Sequence, residues 1–143
     1  MRKISLVFLL FFGITIQAQN TEVQKTIETF FEGFHTRDTV KMKSVCSDKM
    51  ILQSIAENTK GAKLSDESVT AFYKSIATIP TDFVFQEKIL SYAIQVDRTM
   101  AQVWTPYEFY INGKLSHKGV NSFTLFKDNG IWKIIYVIDT RRK

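Results

Sequence analysis

Two Asn-Gly pairs in the last third of the chain, Asn112-Gly113 and Asn129-Gly130, constrain its fold more than any other feature. Both residues of such a pair tolerate the positive φ of a type I′ turn, so each pair reads as a tight connection between antiparallel strands. A two-residue loop at Asn112-Gly113 pairs Ile111 with Lys114 and lets the register be counted outward. Tyr110 then opposes Leu115, Glu108 opposes His117, Pro106 opposes Gly119, Trp104 opposes Asn121 and Gln102 opposes Phe123. Directly opposed residues share a face of the sheet. An acid, an imidazole, an amide and an indole are therefore expected on one wall.

The second turn leaves two registers open. A two-residue loop at Asn129-Gly130 puts Trp132, Ile134, Tyr136 and Ile138 on the His117 face. A three-residue loop at Asp128-Asn129-Gly130, closed by a bulge, puts Ile135, Val137, Asp139 and Arg141 there instead. In the second case Asp139 and Arg141 join the polar cluster. In the first they form a surface ion pair of little energetic weight.

Upstream, the periodicity predicts helices before strands. Thr21 caps a helix running to about His35, with Val23, Ile27, Phe30, Phe31 and Phe34 at helical spacing and Glu22 in its first turn. Thr36 to Asp38 reads as a break carrying a new N-cap. A short helix follows in which Val40, Met42, Val45 and Cys46 face inward, with Asp48 near its end. Met50 to Ala56 reads as a strand and Glu57 to Leu64 as a mobile loop. Ser65 caps a third helix with a Val69, Phe72, Tyr73 and Ile76 stripe, and Pro80 stops it. From Phe85 onward the pattern alternates in four segments: Phe85–Val96, Thr99–Ile111, Leu115–Lys127 and Ile131–Asp139. Asp97-Arg98 reads as the tight turn between the first two. The expected class is α+β, a curved antiparallel meander covered on one face by three N-terminal helices.

The N-terminus reads as a targeting segment over residues 1–18. Arg2 and Lys3 precede an apolar run from Ile4 to Ile16, and cleavage is expected after Ala18. That run is shorter than the ~18–20 residues that cross a bilayer, so the chain is expected to be exported rather than inserted in the membrane. Residues 19–143 then form one domain. The formal net charge of +5 includes Arg2 and Lys3, and Arg141, Arg142 and Lys143 close the chain, so no broad basic face for nucleic acid is implied. Cys46 is the only cysteine, which excludes an intramolecular disulfide and reads as a small buried hydrophobe.

His117 is the leading candidate for chemistry. It lies mid-strand on the face of Asn121 and opposite Glu108, whose carboxylate would tune it. Glu108 and His117 could equally satisfy each other at a sheet edge. Gly119 opens space on that face beside Pro106, and Trp104 and Tyr110 offer flat surfaces for a heterocycle. Two histidines, His35 and His117, and one cysteine give no zinc spacing, no Gly-rich phosphate loop is present, and no serine sits on a nucleophile elbow. Neither a metal nor another cofactor is expected.

The order helix, short helix, strand, helix and four-strand meander, closing on Gly130-Ile131-Trp132-Lys133-Ile134, resembles the nuclear transport factor 2-like (SnoaL-like) superfamily over nearly all of residues 19–143. Three segments, Trp104 to Tyr110, Ser116 to Phe123 and Asp139 to Arg142, are similar to its exported bacterial lumazine-binding type. The resemblance implies a cone in which the curved sheet wraps the helices around a central cavity, often in a homodimer formed through the sheet. It also implies that His117 and Asn121 line the cavity. Steroid-isomerase-like members use a first-helix tyrosine, where this chain has Phe30, Phe31 and Phe34. Dehydratase-like members pair two histidines with an acid, and His35 is not on a strand.

Three functional readings stand in order. The first is an exported small-molecule-binding protein for a flat or hydrophobic ligand, oriented by Trp104, Glu108, Tyr110, His117, Asn121 and Asp139. The second is a cofactor-independent isomerase or dehydratase with His117 as base, Glu108 tuning it and Asn121 as oxyanion donor. The third is an interaction module using an outer face that carries Val103, Tyr107, Phe109 and Val120.

Overall fold

A computed structural model of the protein describes residues 17–143 in full and, for residues 4–16, the backbone alone. The expected targeting segment, residues 1–18, falls almost wholly outside the fully described residues. Among the described residues no helix is long and apolar enough to cross a membrane.

Helix α1 spans Ile4–Thr36 and α2 spans Thr39–Ser44. Thr21 is no N-cap: the helix is already under way, and its hydroxyl donates back to the Gln17 carbonyl. The break between α1 and α2 is where the sequence puts it. Arg37 takes a positive φ of 61°, and Asp38 caps α2 by accepting the Lys41 amide at 2.9 Å. Met42 is fully buried, whereas Val40, expected to face inward, is 78% exposed on the solvent side of this one-and-a-half-turn helix.

Strand β1 (Cys46–Asn58) begins at the cysteine, so Asp48 lies in a strand and not at a helix end. The expected loop from Glu57 to Leu64 is largely a hairpin into β2 (Gly61–Glu67), with Asn58 paired to Gly61. Asn58 Oδ1 accepts the Lys60 amide at 2.8 Å, and Gly61 takes a φ of 128°. The run Gly61-Ala-Lys-Leu-Ser-Asp-Glu67 is polar enough to read as a loop because it forms an edge strand that hardly touches the core. Ser65 belongs to it, and Ser68 is the residue that caps α3 (Val69–Ala77), accepting the Ala71 amide.

The segment expected as one strand is two, β3 (Phe85–Ile89) and β4 (Ala93–Asp97). Both pair antiparallel with the same edge of β5 (Met100–Ile111). Strands β6 (Lys114–Asp128) and β7 (Ile131–Arg142) complete the sheet. Its order is β2-β1-β7-β6-β5-β3, with β4 beside β5, and it is curved and open. The fold is α+β as expected, with one refinement: β1 joins β7 in parallel, so the sheet is mixed. Val23, Ile27, Phe30, Phe31 and Phe34 of α1 pack onto Val103, Phe123, Leu125, Ile134 and Val137 of the concave face.

Two bulges set which side chains enter that concavity. Both Asn-Gly loops hold two residues, with Asn112 and Asn129 at φ of 49° and 47°. Between the pairs Tyr110↔Leu115 and Phe109↔His117, however, β6 inserts Ser116. One extra residue reverses the parity of everything beyond it. The pairs are therefore Glu108↔Lys118, Tyr107↔Gly119, Thr105↔Asn121, Trp104↔Ser122 and Val103↔Phe123. In the same way Ile135 is inserted between Leu125↔Ile134 and Thr124↔Tyr136. Each of the two open registers of the last strand thus holds over half its length: Trp132 and Ile134 point inward before the bulge, and Val137, Asp139 and Arg141 after it.

Candidate functional site

The corrected parity divides the expected wall. Val103, Thr105, Tyr107 and Phe109 of β5 point to the concave side with His117, Gly119, Asn121 and Phe123 of β6. Trp104, Glu108 and Tyr110 point to the convex side. Trp104 is 53% exposed, and Glu108 accepts the Tyr110 hydroxyl at 2.7 Å instead of meeting His117. Val103, Tyr107 and Phe109 do not form an outer surface; Val103 and Tyr107 are among the most buried residues.

Between α1, α3 and the concave sheet lies a cavity of about 530 Å³. Its apolar side is aromatic: Phe30 and Phe31 meet Phe123 edge-on with centroids 6.1 and 6.0 Å apart, and Phe34 stacks on Phe72 at 6.4 Å. Its polar side gathers Glu87, Asn121, His117, Asp139 and Arg141. Asn121 Nδ2 donates to Glu87 Oε1 at 2.6 Å. Arg141 Nε donates to Asp139 Oδ2 at 2.7 Å. The Tyr107 hydroxyl donates to the Thr140 carbonyl at 2.8 Å, with Asp139 Oδ2 3.3 Å away. His117 lies flat on Phe109, centroids 4.8 Å apart, and its Nδ1 is 3.2 Å from Ser116 Oγ.

Gly119 makes this crossing possible. A Cβ there would lie 1.7 Å from the Thr140 carbonyl oxygen and 3.0 Å from the Tyr107 ring. Only a bare Cα lets β6 approach β7 while Tyr107 passes over it to reach Thr140 and Asp139. The glycine was expected to open the face for a ligand; its space is taken by the Thr140 carbonyl and bordered by the Tyr107 ring.

No protein-family model matches the chain, and no curated protein gives a significant sequence match. Solved structures do match. An NTF2-like protein of unknown function from Pseudomonas putida superposes with a TM-score of 0.69 at 11% identity, covering 87% of each chain. Another, from Shewanella baltica, gives 0.63 at 15% identity over 88% of this chain and 95% of its own. A candidate dehydratase of the NTF2-like family from Streptomyces avermitilis gives 0.66 at 13% identity over 89% and 98%. This chain has the nuclear transport factor 2-like fold. At such identities the likeness speaks for the fold alone, and the site must be read from its own residues.

Within this nuclear transport factor 2-like cavity the residue that sequence reasoning missed is Glu87. The alternation Phe85, Glu87, Ile89 carries the signal, since it places a carboxylate in an inward-facing series. Glu87 keeps some accessible surface because it faces the cavity, yet protein surrounds its carboxyl, and burial pushes that carboxyl up to about 7. The Asn121 hydrogen bond and Arg141 oppose the shift, and the negative Asp139 adds to it. The Glu87 amide donates to His35 Nε2 at 3.0 Å, which ties the end of α1 to β3 and requires that nitrogen to be unprotonated. Burial lowers the affinity of His117 for a proton, and Arg141 lowers it further, against the pull of Asp139. Burial and the neighbouring carboxylates push the Tyr107 hydroxyl far above the ordinary phenol range, so it is a fixed donor. Cys46, outside the cavity, is pushed up to about 11 by burial and is unreactive. Among the described residues no cluster of histidine, cysteine and acidic side chains could hold a metal ion.

Proposed function

We propose that the protein binds a flat, mainly apolar small molecule in the cavity between α1, α3 and the concave sheet. The observation that carries this reading is the pairing of an aromatic wall with a short row of convergent polar groups in one half-open space of about 530 Å³. The polar row is Glu87, Asn121, His117 and the Asp139–Arg141 pair, replacing the Trp104, Glu108 and Tyr110 contacts expected from an unbulged register. Denaturing the purified protein and identifying released molecules by mass spectrometry tests it. A compound retained by the parent and lost by folded Asn121→Ala supports the reading; nothing retained, and no thermal shift across a metabolite panel, opposes it.

A second reading, a cofactor-independent isomerase or dehydratase, is favoured by one feature. A carboxyl that titrates near neutrality inside a cavity is suited to take and return a proton, and Glu87 fits that role better than His117. Incorporation of deuterium from solvent into a captured ligand, lost in Glu87→Gln, would support turnover.

Export with cleavage near Ala18 belongs to the same proposal and rests on the Arg2-Lys3 start and the apolar run after it. The mass of the protein recovered outside the cytoplasm tests it. Pairing of two copies through the convex face is supported by exposed Met100, Trp104 and Phe126 on β5 and β6. A molar mass by light scattering that is the same for the parent and for Trp104→Glu would oppose it.

A further inference from the structure

Resting on the small-molecule reading, we propose that the ligand is an organic cation, a protonated amine or quaternary ammonium on a flat apolar body, with its charge set against Glu87. The charge distribution points there first. The whole chain carries a formal net charge of +5, yet the charged side chains lining the cavity are Glu67, Glu87 and Asp139 against Arg141 alone. Arg141 is already engaged by Asp139. Glu87 has no ion-pair partner among the described residues. Its Oε1 takes one hydrogen bond, from the neutral Asn121 amide, and its Oε2 takes none from the described residues. One oxygen of this cavity-lining carboxyl therefore has its bonding capacity unused.

The aromatic wall supplies the second half of the argument. Phe31, Phe34, Phe72 and Phe109 border the same space, and the face of an aromatic ring attracts a cation that has left water. A neutral ligand would gain from these rings only by burial and would leave Glu87 without a counter-charge. An anionic ligand would meet three acidic side chains and one guanidinium, and that guanidinium is already paired with Asp139.

Proton linkage follows from the groups around Glu87. They are Glu67 from β2, Tyr107 from β5, His117 and Asn121 from β6, Asp139 and Arg141 from β7, and His35 from α1; β1 and α3 contribute uncharged Leu52 and Ser75. The carboxyl of the empty cavity half-titrates at about 7. A bound cation favours the ionised form, so binding expels a proton and strengthens with pH until Glu87 is fully ionised.

The test titrates the full chain by calorimetry with three probes of one shape: 2-(1-naphthyl)ethylammonium, the corresponding alcohol and 1-naphthylacetate. At pH 8 the ammonium should bind about tenfold or more tightly than either of the others. Its affinity should rise about tenfold from pH 6 to pH 8, as the ionised fraction of a group of this pKa goes from about one-tenth to nine-tenths. Titrations in two buffers of different ionisation heat should show proton release near pH 7 without recourse to any variant. Folded Glu87→Gln should lose the release and the preference while keeping the alcohol's affinity. Equal or tighter binding of the alcohol or the carboxylate, or an ammonium preference that survives Glu87→Gln, would overturn the cation and leave the small-molecule reading standing. No binding of any probe would count against both.

Discussion

Ionising Glu87 is costly to the folded protein, because burial opposes the charge. An unfolded chain releases its proton in the ordinary glutamate range, whereas the folded protein holds it up to about 7. Between those values the folded state binds more protons than the unfolded one, so stability falls as pH rises through that window and levels off above it. The loss amounts to up to about 3 kcal/mol. Glu87→Gln, which keeps an acceptor for Asn121 and removes the titration, should flatten this fall; urea denaturation of parent and variant at pH 5 and pH 8 measures it. Thr105 is a second residue with a calculable debt. It is fully buried on the concave side, and its hydroxyl has no hydrogen-bond partner among the described residues. Thr105→Val keeps the shape and removes the unsatisfied oxygen, so it should raise stability by about 1 kcal/mol, read from the same denaturation curves.

At the scale of elements, the long strands β5, β6 and β7 were legible and their faces were not. Asn112-Gly113 and Asn129-Gly130 declare two-residue turns, and both turns form. The count of opposed residues fails at Ser116, because a bulge mid-strand adds a residue without any turn-forming signature such as glycine. That single residue sends Trp104, Glu108 and Tyr110 outward and brings Tyr107 and Phe109 in. Strand β2 was hidden for a different reason: an exposed edge strand lacks the alternation that burial imposes. Serine is a favoured cap type at either 65 or 68, and the end of β2 decides in favour of Ser68. The β7 bulge gives the sharpest test. Deleting Ile135 must turn inside out either Trp132 and Ile134 or Val137 and Asp139, so the shortened protein should lose its cooperative thermal transition. Ile135→Ala keeps the bulge and, at this half-buried position, should cost no more than about 2 kcal/mol. Circular dichroism melting of the two variants separates loss of register from loss of one side chain.

The whole molecule is divided by the order of its strands. β1 and β2 form one hairpin, β3 to β6 form another antiparallel group, and β7 lies between them, parallel to β1 and antiparallel to β6. The last strand in sequence is thus the one that joins the two halves of the sheet, and its Cys46↔Ile134 and Glu57↔Arg142 pairs are far apart along the chain. Such a topology defers much of its non-local pairing to the end of the chain, which slows folding. It also makes the cavity depend on the same strand, since Val137, Asp139 and Arg141 line it. A chain ending at Gly130 keeps the three described helices and six of the seven described strands, yet β1 and β2 lose β7, their one strand partner in the rest of the sheet among the described residues. It should show no cooperative unfolding transition in calorimetry. A chain ending at Thr140 retains the β1–β7 pairs from Cys46↔Ile134 to Ile55↔Thr140 and should fold, while losing the guanidinium that balances Asp139. Removing that neighbour leaves Asp139 unpaired beside Glu87, so the Glu87 carboxyl should titrate higher than in the parent, a shift that carbon-13 NMR of the glutamate carboxyls would resolve.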